Sequence, residues 1–102
     1  MLEGKAVIED TDMALGMQAR ALASASRALD LYEFFDYIPI AAYIKKDFDK
    51  KYGGGWQCVV GTNFSCFFTH SKGTFIYFSI ESLNLLIFKG THSSTSTSTS
   101  TS

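Results

Sequence analysis

Cys58, Cys66, His70, His92 and a scatter of carboxylates are the side chains of this 102-residue chain from which a reaction or a metal site could be built. Cys66 and His70 are four positions apart, and on an extended strand they share a face but stand about 13 Å apart along the chain. That separation is far outside the reach of a thiolate–imidazole pair. A thiol enzyme at Cys66, which would lose turnover on Cys66→Ser, is therefore the weaker reading. No catalytic residue and no cofactor are expected. A metal site would have to draw on His92, which sits in a Ser/Thr-rich tail, so none is expected either. Asp10 and Asp12 bracket Thr11 just ahead of an amphipathic run and read as helix caps rather than as an acid and a base. Gly53-Gly54-Gly55 lacks a following Lys-Ser/Thr and leads into a strand, so it reads as a turn, not a phosphate loop. Asn63-Phe64-Ser65 matches the glycosylation acceptor pattern. The chain opens with no apolar leader, so that acceptor is not expected to be used.

The elements that must position these residues follow from periodicity. Ala6-Val7-Ile8 is a short extended segment. From Met13 to Leu31 the residues Met13, Met17, Ala21, Ala25, Ala28 and, just beyond, Tyr32 recur at helical spacing. A second helix is expected from Pro39 to Tyr52, burying Ala41, Ile44, Phe48 and Tyr52. Its charged face should carry internal ion pairs such as Asp47 with Lys51. Strands are expected at 56–61, 64–70, 74–80 and 83–89, with short turns at 71–73 and 81–82. The fold class is α+β, two helices packed on an antiparallel sheet.

The content of those strands carries the functional argument. The run from Trp56 to His70, and the strands around Ile76 and Leu85, are apolar on both alternating faces. One small domain has a single helical layer with which to cover them, so the second face is expected to meet another chain or a ligand. Nine Phe, five Tyr and one Trp strengthen that expectation. A net charge of -1, with no basic stripe, argues against nucleic acid. No run reaches membrane-spanning length. Two cysteines without CxxC spacing fit a reducing compartment. Residues 1–4 are expected to be flexible, 5–90 to form the domain, and 91–102 to be a disordered Ser/Thr tail.

Lys5-Ala6-Val7-Ile8, the run from Ala41 to Tyr52, Trp56-Gln57-Cys58-Val59-Val60-Gly61, Asn63-Phe64, Thr69-His70 and Phe75-Ile76-Tyr77-Phe78 together resemble the eight-kilodalton dynein light chain family. The resemblance spans residues 5 to 90 and is nearest to plant-type members. It implies a strand-swapped homodimer in which the 64–70 strand crosses to the partner's sheet. Each groove then takes a short linear motif of a disordered protein as an added strand. Thr-Gln-Thr or Gly-Ile-Gln-Val type cores are the family's common ligands.

Carried over by position, the resemblance implies a groove of Asn63, Phe64, Ser65, Cys66, Phe67, Phe68, Thr69 and His70. Phe75, Tyr77, Asn84 and Leu86 supply its floor and walls, and Asp36 stands in for an acidic residue that reads the ligand glutamine. The dimer interface is implied to include Gln57, Phe64, Cys66, Phe68 and Lys89. Two departures stand out. The 33–39 segment is two residues longer than the animal pattern, and Gln57 replaces an interfacial histidine whose protonation splits the dimer. The implied function is a cytoplasmic, cytoskeleton-associated or nuclear adaptor. The alternative is a fixed accessory subunit of a dynein-type motor, with dynein complex subunits as partners.

Overall fold

Hydrophobic alternation and helical spacing resolve into two helices on one face of a four-stranded antiparallel sheet. The computed structural model describes residues 5–67, 69–90 and 98–101. Strand β1 (Ala6–Thr11) leads into helix α1 (Leu15–Leu31) and helix α2 (Tyr37–Tyr52). Strands β2 (Trp56–Gly61), β3 (Phe64–Phe67), β4 (Ile76–Ile80), β5 (Leu83–Lys89) and β6 (Ser98–Thr101) follow. The main sheet runs β1-β4-β5-β2, all neighbours antiparallel, while β3 and β6 form a separate two-stranded sheet.

One face of the main sheet is the core face. Ile76, Phe78 and Ile80 of β4 lie opposite Ile87, Leu85 and Leu83 of β5, and all six are fully buried. Against them pack Ala21, Ala25 and Ala28 of α1 and Ile40, Ile44 and Phe48 of α2. The small alanine stripe lets α1 lie close. Arg20 ties the helices together, its guanidinium donating to both oxygens of Asp47 at 2.6 and 3.0 Å. The ion pair expected within α2 is instead Lys45 with Asp49, at 2.7 Å, because Asp47 is turned toward α1.

The helix starts differ from expectation. Ala14, not an aspartate, precedes α1, and no side chain caps it. Thr11 is the last residue of β1, and Asp12 is held elsewhere by the 73–75 loop. Asp36 precedes α2 without a side-chain cap, so Pro39 sits inside the first turn rather than at its start. Gly53 ends α2 at φ 89°, its N–H donating to Asp49 O, so the glycine run is a helix-terminating turn. Of the Ser/Thr run expected to be disordered, residues 98–101 form β6, and 91–97 and 102 lie outside the described residues, as do 1–4.

Candidate functional site

The second face of the main sheet displays Tyr77 and Ser79 of β4, Asn84, Leu86 and Phe88 of β5, and Gln57 and Val59 of β2, as the strand register requires. Leu86 and Phe88 are each only 2% exposed although they face away from the helices. Thr62, Phe64 and His70 of the same chain meet residues of this face or its margin. The Phe64 ring meets Tyr77 edge-on at 6.1 Å. Asn84 Nδ2 donates to Thr62 O at 3.1 Å. His70 bridges to Gly90 at the end of β5. The sequence led to the expectation that this face meets another chain or a ligand; within the single chain, part of its cover comes from the chain itself.

Asp12 organises the 70–75 loop. Its carboxylate accepts the Phe75 N–H at 2.9 Å and the Gly73 N–H at 3.0 Å, and His70 Nε2 lies 3.1 Å away. Partial burial pushes this carboxyl up, but the two amides and the imidazole outweigh that effect and hold it below the usual carboxylate range. Gly73 adopts φ 81° there, a conformation that glycine takes without strain. His70 also stacks near Phe75, with ring centroids 5.2 Å apart. An aspartate read as a helix cap is in fact the anchor of the loop that closes the site.

The implied groove residues divide accordingly. Asn63, Ser65 and Thr69 are exposed and Phe64 is half-buried along β3, whose backbone also carries Cys66 and Phe67. His70, Phe75, Tyr77, Asn84 and Leu86 lie on or beside the second face. Phe68 lies outside the described residues. Asp36 belongs to the helical layer, across the sheet from Tyr77, Asn84 and Leu86, so a single chain does not bring it into this group.

Of the implied interface residues, Gln57 is exposed on β2. Lys89 folds back over the Trp56 ring, its ammonium 5.9 Å from the centroid, while Trp56 packs edge-on against Phe48 at 4.9 Å. Partial burial pushes the Cys58 thiol above its ordinary value and so favours its protonated form. Among the described residues, no three His, Cys, Asp or Glu side chains gather closely enough to hold a metal ion. An open cleft on the outer side of α2, between Tyr32, Tyr43 and Lys46, includes none of the implied groove residues.

The profile of the family described as dynein light chain type 1 matches residues 5–90. The chain belongs to the dynein light chain family. Solved structures agree at the level of fold. The dynein light chain-like domain of the Fasciola hepatica calcium binding protein FhCaBP2, a mercury derivative, superposes with a TM-score of 0.71 at 22% identity. That match covers 86% of this chain and 94% of that one. The native crystal of the same domain gives 0.71, with 84% and 91% covered. The dynein light chain-like domain of CsTAL3 gives 0.65 at 16% identity, covering 89% of this chain and 95% of that one. Calcium binding is said of the Fasciola protein in its name.

Within this dynein light chain, β2 is an edge strand: its outer side carries no strand among the described residues, and α2 packs directly on it. No helix of the described residues is long and apolar enough to cross a membrane.

Proposed function

We propose that this dynein light chain is a non-catalytic, homodimeric adaptor. It binds short linear segments of disordered proteins by strand addition and brings two partner chains into register. The observation that carries the reading is the position of β3: it is excluded from its own four-stranded sheet, while the outer edge of β2 stands open beside α2. An unpaired edge is a template for another strand. A partner's β3 laid along that edge would sit next to α2, and the strand-swapped homodimer follows from two such exchanges. Only in that arrangement does Asp36, in the helical layer, come within reach of a groove built on β3.

A peptide adding to the crossed β3 gains main-chain hydrogen bonds from any sequence and specificity from the side chains flanking it. Asn63, Phe64, Ser65, Cys66, Phe67, Phe68, Thr69 and His70 line its length, and Phe75, Tyr77, Asn84 and Leu86 lie beneath. Two parallel grooves make the second of two binding events intramolecular, which raises avidity for dimeric partners by about a hundredfold or more. Gln57, Phe64, Cys66, Phe68 and Lys89 belong to the interface between the chains. Dynein complex subunits are among the partners this reading admits, and the cytoplasm with its cytoskeleton, or the nucleus, is the setting.

Calorimetric titration of a Thr-Gln-Thr-containing peptide, with light-scattering mass on the same sample, tests the proposal. One peptide per chain in a dimer is expected. A monomer at micromolar concentration, or a dimer that binds none of the family's peptide types, would overturn it.

A further inference from the structure

The edge of β3 already has an occupant. Ser98–Thr101 lies antiparallel along it, pairing Thr101 with Phe64, Ser100 with Ser65, Thr99 with Cys66 and Ser98 with Phe67. The covalent path makes this pairing local. The chain leaves the domain at Gly90, which is bridged to His70, three residues beyond Phe67. Seven residues, 91–97, separate Gly90 from Ser98, and a chain of that length reaches at most about 3.3 Å per residue.

Three properties of the tail suit it to this place and to weak occupancy. Its Thr and Ser alternate at 95–102, so in a strand every Thr falls on one face, and Thr is a good strand former. It carries no apolar side chain with which to fill a pocket, so main-chain pairing is nearly all it contributes. The strict two-residue repeat also makes a slip by two positions almost neutral in energy. Several equivalent registers therefore favour occupancy statistically without any one being tight.

We propose that the C-terminal Ser/Thr segment is a built-in, weakly held ligand of β3, added to its edge within the same chain, and that an external peptide must displace it. This rests on the reading of β3 as the peptide-binding strand. The tail then acts as a threshold. Segments that offer only backbone pairing are excluded, while those whose side chains engage the flanking residues win. Tethering at an effective concentration on the order of millimolar, with an intrinsic tail affinity of about 0.1 mM, weakens apparent binding of an outside peptide about tenfold.

The test compares the full chain with its T99P/T101P double variant, which keeps tail length but removes two backbone donors and disfavours the strand. Equal thermal midpoints confirm an unchanged domain. Amide hydrogen exchange is followed first without any peptide. The amides of Phe64–Phe67 that point to the tail should exchange faster in the variant, and unchanged exchange overturns the proposal. A fluorescein-labelled Thr-Gln-Thr peptide is then titrated into both proteins, and the variant should bind about tenfold more tightly. Equal affinities overturn the competition. So does a variant whose monomer–dimer balance shifts in place of its peptide affinity, because the tail would then oppose the partner's strand. A peptide that binds neither protein counts against the adaptor reading, while the exchange result still decides whether the tail occupies β3.

Discussion

Asp12 does the work of several residues at the site. Its two oxygens receive the N–H groups of Phe75 and Gly73, and its His70 contact fixes the ring that lies against Phe75. Asp12→Ala leaves both amides to find water and frees the 70–75 loop. Hydrogen bonds to a charged group contribute about 1.5–3 kcal/mol when shielded, and the 39% exposure of this side chain reduces the expected loss to about 1 kcal/mol. Urea unfolding would register that loss, and faster exchange of the Phe75 amide would localise it. The pH dependence follows from the lowered carboxyl. With the folded value below the unfolded one, the contribution is whole above the usual carboxylate range and disappears as pH falls through the folded value. Wild-type stability should therefore drop below about pH 4, and the Ala variant should drop less steeply over the same window.

At the scale of elements, the α1 face explains how two helices and a sheet share so small a core. Ala21, Ala25 and Ala28 have no exposed surface, so the helix sits close to its neighbours with no room for a longer side chain. Ala25→Leu should cost about 1–3 kcal/mol through overpacking, whereas Ala23→Leu, on the exposed face of the same helix, should stay within about 0.5 kcal/mol. Thermal midpoints of the two variants check this, and equal midpoints would mean the alanine stripe is not a tight contact. That stripe was legible in the sequence because helical spacing reports directly on burial. The strands of the main sheet were legible for the same reason. Strand β3 was harder: its apolar pattern runs to His70, but among the described residues it pairs as a strand at Phe64–Phe67, while His70 bridges to Gly90 and contacts Asp12. Contacts distant in sequence left no local signal. Asp12 carries the composition of a helix cap, and nothing near Asp47 announces Arg20. The pairing of the tail with β3 was hidden because a Ser/Thr repeat without apolar residues reads as solvated chain.

For the whole molecule the consequential substitution is Gln57, exposed on the edge strand β2 opposite Phe88. In the proposed dimer this strand receives the partner's β3, so a group that gained charge there on mild acidification would place two like charges at one interface. Glutamine gains none. The carboxylates whose pKa the fold lowers, Asp12, Asp47 and Asp49, remain ionised at pH 5, and their stabilising contributions fade only in stronger acid. The domain should therefore stay folded and dimeric at pH 5. Gln57→His should introduce the missing sensitivity, because an imidazole titrates between about pH 5 and 8. Light scattering at pH 7.5 and pH 5 would then give a dimer at both values for the natural chain and a shift toward monomer at the lower value for the variant. Dissociation of the natural chain at pH 5 with its far-ultraviolet dichroism unchanged would place the acid-sensitive group elsewhere in the interface.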